Sequence, residues 1–236
     1  MDEADRWKTA AARAALEHVR SGMLVGLGTG STASHVVRDL GRRLAAGELR
    51  DVRGVATSVA TERLAREAKI PLVELPASGV DLTIDGMDEV TPTLDAIKGL
   101  GGALTREKVV AASSARLVLI GDVRKRVPWL GETAPVPVEV LAFGWRRTVE
   151  RLRELGAEPA LRLRGGEPFV TDTGQWVVDC HVHPHFDAAA FAAAVDAVPG
   201  VIAHGLFLGM AERALLGGPD GIEELLRPPV IDGAPA

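Results

Sequence analysis

Three short, dominantly apolar runs, Met23–Leu27, Leu82–Ile84 and Leu117–Ile120, constrain the fold more than any other feature of the chain. A strand without polar alternation is buried on both faces, as in a parallel sheet covered by helices on each side. Helical patterns fill the gaps. One spans Asp5–Arg20, with Trp7, Ala11, Ala14, Ala15 and Val19 at helical spacing and Gly22 past its end. Others follow through about Leu44, after a cap at Thr57 or Ser58 with Pro71 as the stop, and from about Leu104 to Ser114. Val52–Ala56 and Leu72–Leu75 add two expected strands. This alternation predicts an α/β fold, a Rossmann-like parallel sheet with ligands at the carboxyl ends of its strands.

The pattern changes near Pro128, where prolines cluster. A strand over Val136–Val140 precedes a helix over Trp145–Leu155, stopped by Gly156. Strands follow near Ala160–Leu163, at Phe169-Val170 and over Trp176–Val182, the last two joined by the turn Asp172-Thr173-Gly174. A helix over Phe186–Val198 ends at Pro199-Gly200, and Val201–His204 closes the set. The order β-α-β-β-α-β predicts a small α+β unit of ferredoxin-like type. Residues 129–204 would thus be inserted into a larger catalytic α/β domain made of 1–128 and 205–236. Leu206–Met210 and Ile222–Leu226 are expected to rejoin that domain, and the tail from Arg227 onward to fray.

A net charge of -5 leaves no electrostatic footprint for nucleic acid or an anionic membrane. Any anionic ligand must therefore be held by a local site. The longest apolar region, Phe186–Met210, is cut by Asp187, Asp196, Pro199 and His204, and reads as no membrane span. The single cysteine, Cys180, excludes an internal disulfide and suits a reducing compartment. With an amino end charged from its second residue, it points to the cytoplasm.

Two stretches carry chemistry. The first strand runs into Gly28-Thr29-Gly30-Ser31-Thr32-Ala33 and then a helix, which aims backbone amides and hydroxyls at an anion and reads as a phosphate cradle. The same letters fit the dinucleotide pattern G-x-G-x-x-A, but the second strand ends in Thr57-Ser58 where that reading needs an acid for a ribose hydroxyl. A ligand-free glycine turn is the third reading. The second stretch is the strand delivering Asp85 and Asp88, followed by Lys98, the glycines at 99, 101 and 102, and Glu107 in the first turn of a helix. Three acids and one amine on glycine-rich backbone suit proton transfer.

Asp179-Cys180-His181-Val182-His183 resembles the opening of a metal-dependent hydrolase. Such barrels carry that motif early and draw further ligands from a long chain behind it, whereas here only His185 and His204 follow. These are read as ordinary strand and turn histidines, and no metal or other cofactor is expected.

The blocks GLGTGSTA, DLTIDGMDEV, KGLGGALTREKVVA, PVPVEV and VIAHGLF, in this order, resemble the ribose-5-phosphate isomerase A family from Lys8 to about Leu215. The resemblance implies a cytoplasmic, cofactor-free aldose-ketose isomerase acting on a sugar phosphate, working as a homodimer. Its base falls on Glu107, with Asp85, Asp88 and Lys98 as the other catalytic positions. Its phosphate loop falls on Thr29, Gly30, Ser31 and Thr32, and its remaining substrate-binding positions on Lys8, Gly86, Met87, Gly99, Leu100, Gly101 and Lys125. By residue pattern alone, Lys8 reads as a solvated helix face, and for Lys125, between Arg124 and Arg126, a solvated basic turn is the alternative to a ligand contact. Leu100 and Met87 depart from the family's common glycine and alanine, and Leu100 restricts backbone freedom beside the substrate. The rivals are a non-catalytic sugar-phosphate sensor and an amino-sugar phosphate deaminase. The sensor is disfavoured by the roughly 22 residues before the first strand, too few for a DNA-binding module. Release of ammonia would mark the deaminase.

Overall fold

Leu117 and Leu119 pack on one side of the central sheet and Val118 and Ile120 on the other, which is why this strand is apolar without alternation. The computed structural model of the protein describes residues 2–227; the expected fraying lies, apart from Arg227, outside them. Helix α1 (Glu3–Leu16) is capped by Asp2, whose carboxylate accepts the Asp5 N–H at 2.7 Å. Then come β1 (Leu24–Leu27), α2 (Ser31–Ala45), β2 (Arg53–Ala56), α3 (Val59–Glu67) and β3 (Leu82–Gly86). Two short strands, β4 (Glu89–Val90) and β5 (Ala96–Ile97), occupy what reads in sequence as loop, and lead to α4 (Leu104–Ala112) and β6 (Leu117–Asp122).

The next segment runs β7 (Val136–Val140), α5 (Trp145–Glu154), β8 (Glu158–Leu161), β9 (Leu163–Arg164), β10 (Glu167–Pro168), β11 (Trp176–His181), α6 (Ala188–Asp196) and β12 (Val201–His204). β13 (Leu206–Phe207) and the hairpin of β14 (Arg213–Gly218) with β15 (Gly221–Leu226) finish the described chain.

The main sheet has the order β15-β14-β6-β3-β1-β2, parallel except for β15. From β1 the chain crosses to β2 on one side and then to β3 on the other. The turns after β1 and β3 therefore meet at a topological switch point, where ligands of open α/β sheets bind. Helices α1, α2 and α3 cover one face through Ala11, Leu16, Val37, Leu40 and Ala65. The α/β expectation holds, and so does the small unit. β7, β8, β11 and β12 form an antiparallel sheet in the order β12-β7-β11-β8, as β-α-β-β-α-β connectivity of ferredoxin-like type requires. Along β7, Val136, Val138 and Val140 pack into that unit's own core. The intervening Pro137 and Glu139 belong to the opposite face.

Two expectations differ, and one strand has no expectation behind it. The strand over Leu72–Leu75 is reduced to one parallel bridge, Leu72 to Gly54. Pro71 lacks an N–H and so cannot extend the pairing backwards; the segment makes two backbone bonds with Gly54 and then leaves the sheet. The strand at Phe169-Val170 is displaced to β10, with Val170 keeping a single bridge to Trp176. Strand β14, for which the sequence reading has no counterpart, is interior and parallel to β6. Its apolar core Ala-Leu-Leu is short, and the turn signal Pro219-Asp220-Gly221 that separates it from β15 is the cue that could have found it.

Candidate active site

The turn after β1 can lie against β3 only because residue 28 is glycine: a Cβ there would sit 2.3 Å from Asp85 Oδ1 and 2.5 Å from its Cα. This close approach lets the Thr29 N–H donate to Asp85 Oδ1 at 2.9 Å, which the Gly86 N–H also reaches at 2.7 Å. Asp85 is thus fully buried at the floor of the switch point.

Lys98 follows β5 and is 2% exposed. Its Nζ donates to Gly86 O at 2.5 Å and stands 3.0 Å from Asp85 Oδ2 and 3.4 Å from Glu107 Oε2. Both carboxylate oxygens are within ion-pair range, yet neither receives a geometrically sound hydrogen bond from the described residues. Burial works against the Lys98 charge, but the two acids outweigh it and hold its pKa above the ordinary lysine value. Burial likewise pushes the Asp85 carboxyl up, against the pull of Lys98 and the two amides.

Glu107 sits in the first turn of α4 and is 4% exposed. Burial pushes its pKa up to about 8; Lys98 opposes this and the charges of Asp85 and Asp88 add to it. A carboxylate in a helix's first turn gains only about 0.3–1 kcal/mol from the dipole, so burial wins here. The result is a carboxyl group able to take or give a proton near neutral pH.

Above these groups lies a cavity of about 140 Å³ lined by Lys8, Thr29, Gly30, Ser31, Thr32, Gly86, Met87, Asp88, Lys98, Gly99, Gly101, Glu107 and Lys125. Every lining residue is one the sequence singled out. At one end Gly30 precedes α2 with φ 106°, and no side chain caps that helix, so its first amides are free to meet an anion. The Lys8 Nζ donates to Ser31 Oγ at 3.1 Å, and Lys125 turns into the cavity while Arg124 and Arg126 pair with Asp122 and Glu223. The pattern that reads Lys8 as a solvated face does not register this convergence.

Some expected residues stand elsewhere. Asp85 lies beneath the cavity. Leu100 does not line it: the side chain is 41% exposed, and what the residue supplies is an N–H that donates to Asp88 Oδ2 at 2.9 Å. The Thr29 hydroxyl, expected to face an anion, is bonded to Thr57 Oγ1 at 2.8 Å and Thr61 Oγ1 at 3.1 Å. Asp179 is paired with Arg162, and His181 and His183 are exposed. Among the described residues, no group of three His, Cys, Asp or Glu side chains could hold a metal ion.

The sequence reading missed two layers behind the site. The Lys108 Nζ donates to Leu206 O at 2.9 Å and lies 3.1 Å from His204 Nδ1. Burial pulls the Lys108 pKa down to about 8; burial and then Lys108 pull that of His204 down to about 4. The Phe207 ring is within cation–π range of both Lys108 and Lys98, its centroid 5.2 and 5.3 Å from the two ammonium nitrogens. On the other flank, Glu139 accepts from Thr105 of α4 and from Thr171 and Thr173. The rarity of lysine (five of 27 basic residues) was the one sequence signal pointing at Lys108.

Comparison with known proteins agrees with this geometry. Residues 53–221 match the family described as Ribose 5-phosphate isomerase A (phosphoriboisomerase A). The chain is 55% identical over 221 residues to a ribose-5-phosphate isomerase A of Roseiflexus castenholzii, covering 93% of this chain and 94% of that one. It superposes on a ribose 5-phosphate isomerase of Plasmodium falciparum with a TM-score of 0.91 at 40% identity, covering 94% and 98%. A D-ribose-5-phosphate isomerase in complex with phospho-erythronic acid gives 0.93 at 35% identity, covering 96% and 100%.

Proposed function

The chain belongs to the ribose-5-phosphate isomerase A family, and from that premise we propose that its cavity interconverts D-ribose 5-phosphate and D-ribulose 5-phosphate with Glu107 as the base. The observation that carries the assignment is Glu107 itself: buried, in ion-pair range of one lysine, and held to a pKa of about 8. Isomerisation moves a proton between neighbouring carbons through an enediolate and a second proton between their oxygens. Glu107 takes the proton from one carbon, exchanges it with solvent, and delivers a proton to the adjacent carbon. Lys98 stabilises the negative charge that develops on oxygen meanwhile. Asp88, half-buried at the cavity wall, serves the oxygens and ring opening; Asp85 fixes Lys98 from below. The phosphate is assigned to the free amides at the start of α2 with Ser31, Thr32, Lys8 and Lys125. That phospho-erythronic acid binds a structural relative supports the ligand class, since it joins a phosphate to an oxidised sugar-like chain.

The same reading makes the protein a cytoplasmic homodimer of the pentose phosphate pathway, with 1–128 and 205–236 as the catalytic part and 129–204 as the smaller unit. None of its described helices is long and apolar enough to cross a membrane. The test is turnover of ribose 5-phosphate in excess EDTA. Ribulose 5-phosphate should form at a rate the chelator leaves unchanged. No product, or ammonia release from an amino-sugar phosphate in its place, would remove the assignment.

A further inference from the structure

Arg162 lies between β8 and β9 in the small unit, and the reaction scheme gives it no role. Its side chain is 13% exposed and that of its partner Asp179, on β11, is 19% exposed. Nε donates to Asp179 Oδ2 at 2.8 Å and Nη2 to Oδ1, a two-pronged pairing that fixes the guanidinium plane. The remaining Nη1 donates to two successive carbonyls of the glycine loop, Gly99 O and Leu100 O, each at 3.0 Å.

A trans peptide plane points its carbonyl and its amide hydrogen in opposite directions. The Gly99 carbonyl faces Arg162, and the amide on the same plane, that of Leu100, donates to Asp88 Oδ2 at 2.9 Å. One peptide unit thus has the guanidinium on one edge and a cavity carboxylate on the other. The loop has little stiffness of its own, since Gly99 and Gly102 stand at φ 104° and 85°. Arg162 is itself fixed: its N–H donates to Val177 O at 2.8 Å, and its carbonyl accepts the Phe169 N–H at 2.9 Å. Phe169 closes the same clamp, because a Cβ on Gly102 would fall 2.3 Å from its ring.

We propose that the Arg162–Asp179 pair is a positioning device for the isomerisation. It braces the 99–102 loop from the small unit so that Asp88 and Lys98 keep their places opposite Glu107. The inference rests on the isomerase reading above, and it gives a use to the first acid of the Asp-Cys-His-Val-His stretch that mimics a metal motif.

Arg162→Met keeps the aliphatic stem and removes every donor. With ribose 5-phosphate its kcat should fall about 10–100-fold, the scale of a misplacement near 1 Å. KM should stay within about threefold, because Lys8, Ser31 and Thr32 at the far end of the cavity are untouched. Arg162→Lys should recover part of kcat, and Asp179→Asn should lose less in the same direction. Arg164→Met is the control: that arginine lies over the same Phe169 ring, 4.4 Å from its centroid, and is exposed. It should behave as wild type. Melting curves establish that each variant is folded at the assay temperature; if Arg162→Met is not, Arg162→Lys and Asp179→Asn carry the same comparison. A folded variant with unchanged kcat, or one that loses only melting temperature, overturns the proposal and leaves the isomerase reading standing. Wild-type protein without turnover overturns both.

Discussion

Glu107 on α4 and Glu139, bonded to the same helix from β7, are both buried carboxylates, and the fold treats them in opposite ways. Glu139 is 1% exposed and its two oxygens are filled by three hydroxyls, those of Thr105, Thr171 and Thr173. Glu89, fully buried, goes further: the N–H groups of Gly131, Thr133 and Ala134 and the Thr133 hydroxyl all donate to it at 2.6–2.8 Å. Glu107 is buried to the same degree, but its Oε2 has only Lys98 at 3.4 Å. A buried carboxylate with a full set of donors ties segments of chain together. One left short of donors, with a pKa near 8, stays free to exchange a proton. Burial alone does not mark a working acid; the missing donors do.

The comparison breaks most visibly at Glu107→Gln. That variant should lose at least ~10²-fold in kcat without losing stability. Because the folded pKa lies above the ordinary value of 4.5, at about 8, the stabilising contribution of Glu107 is complete below pH 4.5 and is lost as pH rises through about 8. Thermal melts should therefore show the glutamine variant gaining on wild type from pH 5 to pH 9. A pH-independent difference would contradict the assigned environment.

Glu89→Ala is the converse. It strands three backbone donors and should cost about 3 kcal/mol in urea unfolding, while the folded variant keeps kcat within about threefold. If kcat instead fell as far as in Glu107→Gln, the distinction between tie and working acid would fail.

Asp85 is the mixed case: Oδ1 is filled by two amides and Oδ2 faces only Lys98. Asp85→Asn should lose both about tenfold in kcat and about 1–2 kcal/mol of stability, measured by steady-state rates and urea midpoints. Loss of one without the other would assign it wholly to one class. The smallest effect is expected at Leu100→Gly. The side chain lies off the cavity and only the backbone N–H and carbonyl, which glycine keeps, are used, so kcat and KM should each stay within about threefold. A larger change in the steady-state constants would return the leucine side chain to the substrate.

Local chemistry made much of this readable from sequence. Unalternated strands at Met23–Leu27 and Leu117–Ile120 demanded a doubly covered parallel sheet, and glycines beside acids demanded a tight turn at its mouth. What stayed hidden depends on partners far along the chain. Thr29 has hydroxyl partners at 57 and 61, so its own hydroxyl could not be known to turn inward. Arg162 reaches carbonyls more than 60 residues earlier, and nothing in Leu-Arg-Leu-Arg distinguishes it from the exposed Arg164. Leu72–Leu75 has strand composition but meets the sheet at Leu72 alone, through one bridge to Gly54. Glu89 and Glu139 look like any strand acids until Thr105, Thr133, Thr171 and Thr173 close around them.

Solvent deuterium incorporation tests the central claim most directly. Wild-type protein with ribose 5-phosphate in heavy water, followed by proton NMR, should exchange the hydrogen on carbon 2 of the sugar as the enediolate forms. Glu107→Gln should slow that exchange at least ~10²-fold while remaining folded. Exchange at the wild-type rate in the glutamine variant would show that another group removes the proton and that the under-bonded glutamate is not the base.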